Sequence, residues 1–229
     1  MGHVHFTVKD PAGFKQFWVN VIGATPAKHE TLDGVRVEGM YIWIKQGDSA
    51  GGTDGSSIRD LGLRVHDLET LLTRAVAAGL QCRRSSRSSA QVLAPENVLI
   101  ELIEDTSGPA VAADHIHLVV QDAMAARGWY AKQFGDPIPG IRLYFIQSDT
   151  PMAPTEGRAL DHIGFEIKGL EEFCKTLEAN GVKLDTPYRK VPQMGFAVAF
   201  LTDPWGTRIE LTDRSAPAPS AQNQKPAQQ

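Results

Sequence analysis

Residues 114–122, DHIHLVVQD, nearly repeat residues 2–10, GHVHFTVKD, and this repeat decides the fold. Both stretches alternate polar and apolar residues, as a half-buried strand does. Both end in aspartate, which favours the start of a helix. The match continues at the same offset into the predicted helices, as far as Gly23 and Gly135. A strand followed by a helix is therefore present at least twice.

A second repeat begins at residues 61–65, LGLRV, and at residues 163–167, IGFEI. A predicted helix follows each stretch and ends at Gly79 or Gly181, glycine being common just past a helix C-terminus. Each copy then runs through strand-like segments. The four units span residues 2–48, 57–105, 113–150 and 158–213. Each unit is typical of a βαβββ arrangement, so the expected fold class is α+β.

The four units are expected to pair, because a single unit would leave an apolar sheet face exposed. Pairing of neighbours gives a first domain over residues 1–107 and a second domain over residues 113–213. Residues 214–229 are rich in proline and glutamine and cannot bury a core. They are predicted to form a disordered tail.

The composition is that of an ordinary globular protein, with 42% hydrophobic residues, 22% charged residues and a net charge of −4. The absence of a basic stripe argues against nucleic acid or a membrane as a partner. Cys82 and Cys174 lie in no CxxC pair, so neither a disulfide scaffold nor a cysteine metal site is expected.

A monomer or a homodimer is expected. The chain is expected to be cytoplasmic by default, or periplasmic or secreted if an N-terminal leader is removed.

Three motifs carry a family resemblance: residues 114–118, DHIHL; residues 160–165, LDHIGF; and residues 203–210, DPWGTRIE. In this order and spacing the chain resembles the vicinal oxygen chelate superfamily. That superfamily includes glyoxalases, extradiol dioxygenases, fosfomycin-resistance transferases and bleomycin-resistance proteins. The resemblance covers residues 2–213. It implies that the units form two domains with cup-shaped mixed sheets.

The resemblance also implies a metal site on His115, His162 and Glu210. Two imidazoles and one carboxylate form a facial triad that leaves positions open for water and substrate. Such a triad suits one divalent ion of Fe, Mn, Zn, Ni or Co. The ion would act as a Lewis acid on a substrate bound through two neighbouring oxygens.

A second, degenerate site is expected on His3, Asp60 and Glu101. This set differs from the predicted set of His115, His162 and Glu210 at Asp60, which occupies the position that corresponds to His162. The predicted pocket residues are His117, Tyr144, Tyr188 and Trp205.

The reaction is expected to be glyoxalase-like or dioxygenase-like. Extradiol dioxygenases carry a tyrosine three residues before the Asp-Pro turn, where this chain has Phe200. Glyoxalases use a glutamate where this chain offers Gln147. The alternative is a metal-free protein that sequesters a small molecule, as bleomycin-resistance proteins do. Those proteins lack the ligand histidines that this chain keeps, which favours a metal-dependent lyase, isomerase or dioxygenase.

Overall fold

A computed structural model of the chain describes residues 2–136, 138 and 140–214. The described residues contain fourteen strands. The strands are β1 (Gly2–Val8), β2 (Thr25–His29), β3 (Leu32–Val37), β4 (Met40–Gln46), β5 (Ile58–Val65), β6 (Gln81–Arg84), β7 (Ser89–Ala94), β8 (Val98–Glu104), β9 (Val111–Val120), β10 (Arg142–Gln147), β11 (Leu160–Glu166), β12 (Leu184–Val191), β13 (Phe196–Thr202) and β14 (Arg208–Asp213).

The helices follow the first strand of each unit. They are α1 (Pro11–Gln16), α2 (Leu68–Ala77), α3 (Ala123–Phe134) and α4 (Leu170–Ala179). Helix α1 continues into a π-helical stretch, Phe17–Ile22. The predicted helix starts are confirmed, because Asp10 accepts a hydrogen bond from the backbone nitrogen of Gly13 and Asp122 accepts one from that of Ala125.

The strands form two mixed sheets. The eight-stranded sheet has the order β12-β13-β14-β11-β1-β4-β3-β2, and the six-stranded sheet has the order β10-β9-β5-β8-β7-β6. Within each unit the first strand pairs in parallel with the last strand, as β1 does with β4 and β5 does with β8. Two units meet in each sheet where their first strands run antiparallel.

The units that share a sheet are the outer two and the inner two. Strand β1 of unit one pairs with β11 of unit four, and β5 of unit two pairs with β9 of unit three. This corrects the predicted division into domains of residues 1–107 and 113–213, since both sheets cross that boundary. The repeat specifies the unit, whereas the choice of partner depends on packing between units, which the pattern of one unit does not encode.

Unit three is shorter than predicted. After β9 and α3, the described residues contain only β10 before unit four begins, so this unit is βαβ rather than βαβββ. Strand β10 is consequently an edge strand of the six-stranded sheet. The α+β class with two mixed sheets is confirmed.

Strand alternation sorts the side chains onto two faces of each sheet. On β1, Phe6 is fully buried and packs against Phe14 and Trp18, with ring centroids 5.0 Å and 6.2 Å away. His3 and His5 share the opposite face of the same strand. The helix-facing side of each sheet is therefore apolar, and the other side carries the polar groups.

The helix-facing sides of both sheets contribute to one apolar core. Helix α3 contacts both sheets, because Tyr130 packs against Phe145 of β10 and Phe134 packs against Phe165 of β11. The ring centroids of these pairs are 5.3 Å and 5.1 Å apart. Helix α3 thus connects the inner pair of units to the outer pair.

Among the helices of the described residues, none combines the length and the apolar character that a membrane crossing requires. Of the predicted tail, only Arg214 lies within the described residues.

Tyr130→Phe is expected to destabilise the protein by about 1–3 kcal/mol, because the buried Tyr130 hydroxyl donates a 2.7 Å hydrogen bond to the buried carboxylate of Asp203. Thr202→Val is a matched control. It removes another 2.7 Å hydroxyl–carboxylate bond, to Asp185, which is exposed to solvent. Urea unfolding measures both variants. Equal losses in the two variants would contradict the role of burial.

Candidate functional site

Four polar side chains meet on the face of the eight-stranded sheet that points away from the helices. His3 and His5 come from β1, His162 comes from β11 and Glu210 comes from β14. We call this set the Glu210 cluster. The strand register places His5 opposite His162, and Gly164 opposite His3. The cluster therefore lies at the junction of units one and four.

The three imidazoles of the Glu210 cluster converge on one carboxylate oxygen. Oε2 of Glu210 lies 2.9 Å from Nε2 of His3, 3.2 Å from Nε2 of His5 and 3.2 Å from Nε2 of His162. Glu210 is 6% exposed and His162 is 9% exposed. A buried carboxylate in contact with three imidazoles at such distances is an arrangement typical of metal sites.

Burial and hydrogen bonds together set the charge states in the Glu210 cluster. Burial acts to raise the pKa of Glu210, but the hydrogen bonds to the three imidazoles hold it well below its usual range. Burial acts to lower the pKa of His162, yet its hydrogen bonds to Asp161 and Glu210 raise it overall. Burial lowers the pKa of His5 to about 4. At neutral pH, Glu210 is therefore ionised and His5 is neutral.

Asp161 fixes the orientation of the His162 ring. Its Oδ1 lies 2.5 Å from Nδ1 of His162, and its Oδ2 accepts a hydrogen bond from the backbone nitrogen of Gly157. Arg208 also donates to Asp161, at 3.2 Å. Because Nδ1 donates to Asp161, a neutral His162 presents the lone pair of Nε2 to the cluster.

A second cluster lies on the equivalent face of the six-stranded sheet. It consists of Asp60 on β5, Glu101 on β8, and His115 and His117 on β9. We call it the Glu101 cluster. Nε2 of His115 lies 3.1 Å from Oε2 of Glu101 and 3.1 Å from Nδ1 of His117. The same Nδ1 of His117 lies 2.7 Å from Oδ1 of Asp60.

Charged neighbours hold the Glu101 cluster in place. Burial acts to raise the pKa of Asp60, but hydrogen bonds to His117 and Arg59 lower it overall. Nδ1 of His115 lies 2.8 Å from the carboxylate of Asp114. His115 is therefore oriented by the aspartate before it, as His162 is in the other cluster.

The two clusters occupy equivalent positions in the two sheets. The corresponding pairs are His3 with His115, His5 with His117, Glu210 with Glu101, Gly164 with Gly62, and His162 with Asp60. The clusters thus differ in one donor, an imidazole in the eight-stranded sheet and a carboxylate in the six-stranded sheet.

A glycine makes room for one histidine in each cluster. A Cβ atom on Gly164 would lie 1.9 Å from Nε2 of His3, and a Cβ atom on Gly62 would lie 2.2 Å from Cε1 of His115. Both distances are far below any permitted contact. The imidazoles of His3 and His115 therefore depend on a glycine on the neighbouring strand.

The structure brings together two residues of the predicted triad and separates the third. His162 and Glu210 are in contact at 3.2 Å. His115 lies in the other sheet, and His3 occupies the corresponding place beside Glu210. The reason is the pairing of units, because His3 opens the unit that pairs with unit four.

The predicted second set is divided in the same way. Asp60 and Glu101 lie together in the six-stranded sheet, but their histidine neighbours are His115 and His117. His3 is absent from that group. Exchange of His3 and His115 between the two predicted sets gives the arrangement in the structure.

Sequence reasoning missed two carboxylates that belong to these sites, and it favoured a packing role for His5. His5 shares a strand face with His3, and that spacing of two residues was the available signal. Asp114 and Asp161 each precede a clustered histidine, so the Asp-His dipeptide was the signal for the orienting carboxylates.

The predicted pocket residues separate into two groups. Tyr144 packs against His115 and His117, with ring centroids 5.2 Å and 5.6 Å away, and His117 is itself a member of the Glu101 cluster. Tyr188 and Trp205 instead pack against the apolar core. The placement of those two in the pocket is therefore corrected, because they lie on the helix-facing side.

Both clusters have the donor types and spacings that a divalent ion requires. Ligand atoms about 2.1 Å from one ion stand about 3.0–3.4 Å apart at octahedral or tetrahedral angles. Glu210 lies 2.9–3.2 Å from its three imidazole nitrogens, and His115 lies 3.1 Å from both Glu101 and His117. The donors that lie close enough together to share one ion are Asp60, Glu101, His115 and His117 in the six-stranded sheet, and His3, His5 and Glu210 in the eight-stranded sheet. His162 adjoins the second group through its 3.2 Å contact with Glu210.

Comparison with solved structures identifies the fold. Glyoxalase I from Zea mays is similar over 93% of this chain and 91% of its own, with a TM-score of 0.73 and 14% identity. A candidate dioxygenase from Bacillus subtilis is similar over 93% of this chain and 84% of its own, with a TM-score of 0.66 and 12% identity. The cppA protein from Streptococcus pneumoniae covers 93% and 97%, with a TM-score of 0.56 and 10% identity.

Neither a protein-family model nor a curated protein matches the chain. The structural likeness confirms the predicted α+β fold with two mixed sheets.

Gly164→Ala is expected to weaken metal binding at the Glu210 cluster by at least about tenfold, because its Cβ atom would displace His3. Titration of the metal-free protein with Co(II) measures the affinity. Gly128→Ala is the control, since a Cβ atom at that helical position meets nothing within 4 Å. Unchanged Co(II) affinity in Gly164→Ala would contradict the placement of His3.

The metal-free protein is expected to lose stability as the pH falls from about 6.5 toward 4. In that window the unfolded chain protonates His5, whereas the folded chain, with the pKa of His5 at about 4, does not. The loss is on the order of 3 kcal/mol. His5→Gln should remove this component, as measured by urea unfolding at about pH 7 and pH 5. The exposed His66→Gln is the control, and an equal acid sensitivity in His5→Gln and wild type would refute the assignment.

Proposed function

We propose that the protein is a metal-dependent enzyme whose divalent ion is held by the Glu210 cluster. The observation that carries the proposal is the convergence of three imidazole nitrogens on one oxygen of Glu210. Three imidazoles and one carboxylate suit Fe(II), Mn(II), Co(II), Ni(II) or Zn(II). An ion that accepts six ligands keeps two positions free for a substrate.

The substrate class follows from that open pair of positions. A small molecule with two neighbouring oxygens would occupy both positions as a chelate. When bound, the ion supplies Lewis-acid stabilisation of negative charge on those oxygens. The reaction belongs to the glyoxalase-like or dioxygenase-like class, and the similarity to glyoxalase I and to a candidate dioxygenase supports this range.

Residues of this chain prepare the site for such a substrate. Asp161 holds the His162 ring so that Nε2 faces inward, and Arg208 in turn pairs with Asp161. Phe200 lies edge-on to His162, with centroids 5.4 Å apart, and the guanidinium of Arg208 lies 4.8 Å from the Phe200 ring centroid. The Phe200 ring thus covers one side of His162, and Arg208 contacts both Phe200 and Asp161.

Metal content and chelate binding test the proposal together. Metal-free protein is titrated with Co(II), and acetohydroxamate is then added as a ligand with two neighbouring oxygens. We expect visible absorption from bound Co(II) that shifts when the hydroxamate binds. His162→Ala and Glu210→Gln should each lose one equivalent of metal, because each variant removes a donor atom.

Glu166→Gln is the matched control, since Glu166 is an exposed carboxylate on the same strand as His162. It should keep the metal content of wild type. Full metal content in Glu210→Gln would overturn the proposal. Tight binding of small organic molecules without any metal would favour the sequestering protein instead.

A further inference from the structure

We propose that the Glu101 cluster is a second metal centre, with a preference for harder ions than the Glu210 cluster. The chain would then hold two divalent ions with different donor sets. This goes beyond a degenerate second site, because four donors meet there and one of them is His117. The Glu101 cluster does not depend on the reaction proposed for the other sheet.

The geometry of the Glu101 cluster supports an ion. The contacts of His115 with Glu101 and His117, each 3.1 Å, match neighbouring ligands of one ion. Nε2 of His115 and Oδ1 of Asp60 lie 4.0 Å apart, close to the separation of about 4.2 Å for opposite ligands at about 2.1 Å from an octahedral ion. Four donor atoms thus surround one point.

The hydrogen-bonding pattern points to a cation at that point. Asp114 accepts a hydrogen bond from Nδ1 of His115, and Asp114 is itself held by Arg64 and Arg142. The Nε2 atom of His115 therefore faces the carboxylate of Glu101, 3.1 Å away. A divalent ion at that point would have an imidazole nitrogen and a carboxylate oxygen as neighbouring ligands.

The burial of the two carboxylates also favours a positive charge at this position. Asp60 is fully buried, and the side chain of Glu101 is 18% exposed. Two carboxylates that converge on the same pair of imidazoles are costly in a buried site without positive charge. Arg59 neutralises part of this charge through its 2.7 Å contact with Asp60, but it contacts the other oxygen, Oδ2, and leaves Oδ1 directed at His117.

The ion preference follows from the one donor that differs. The Glu101 cluster offers two imidazoles and two carboxylates, whereas the Glu210 cluster offers three imidazoles and one carboxylate. Carboxylate oxygens favour Mn(II), and imidazole nitrogens favour Zn(II), Ni(II) and Co(II). We expect Mn(II) to compete better in the six-stranded sheet.

Two surface cavities lie beside residues that contact the Glu101 cluster. One, of about 500 Å³, is lined by residues of α3 and β10 that include Tyr144, which packs against His115. The other, of about 460 Å³, is lined by Arg64, Asp114 and Arg142. Both cavities adjoin side chains in direct contact with His115.

Elemental analysis of protein equilibrated with equal Mn(II) and Zn(II) tests the inference. Wild type should bind two ions per chain. Glu101→Gln should keep one ion, mainly zinc. Glu210→Gln should also keep one ion, with a manganese-to-zinc ratio at least about tenfold higher than the ratio in Glu101→Gln. Two ions in Glu101→Gln, or none in Glu210→Gln, would overturn the second centre. The first centre is tested separately, because full metal content in Glu210→Gln would refute it.

A reciprocal exchange of the differing donor tests the ion preference without removing a ligand from either cluster. Asp60→His gives the Glu101 cluster the donors of the Glu210 cluster, so it should still bind two ions but lose the preference for manganese. His162→Asp should confer that preference on the Glu210 cluster. Thermal unfolding confirms that each variant folds. An unchanged metal ratio in Asp60→His would show that the cluster binds no ion of its own.

Discussion

The antiparallel pairing of first strands, β1 with β11 and β5 with β9, is the constraint on which the rest of the structure depends. It joins the outer units in one sheet and the inner units in the other. Its register sets a histidine of one strand opposite a glycine of the next, at Gly62 and Gly164. Without that opposition the imidazoles of His3 and His115 would have no space. The polar clusters exist where the strand pairs meet.

Strand alternation separates the structural part of each sheet from the chemical part. One face packs on the helices and contributes to a single apolar core, within which α3 contacts both sheets. The opposite face carries carboxylates and imidazoles that are largely buried. Such groups are costly to bury unless charge and hydrogen bonds compensate them, and His162, Asp161 and Arg208 form one compensating chain. The duplicated arrangement is consistent with a duplicated ancestral unit.

Much of this organisation could be predicted from the residues alone. The repeated stretches at residues 2–10 and 114–122 predicted the unit and the helix starts at Asp10 and Asp122, and the structure confirms them. The histidines and glutamates chosen from the motifs all lie on the cluster faces. The shortened unit three was not predicted, because the repeat of its first strand and helix was taken to extend to the whole unit. Tyr188 and Trp205 were placed on the wrong face, because aromatic residues near a turn suit either packing or a pocket.

The sequence by itself determined the repeated unit, the face on which each polar side chain lies and the donor types available to a metal. These follow from local periodicity and capping, which act over a few residues. Only the tertiary structure decided that Glu210 meets His3 and that Glu101 meets His115. The physical reason is that units of similar pattern can pair in more than one way. The choice rests on packing between units far apart in the chain, as where α3 joins Phe165, and no local pattern records it.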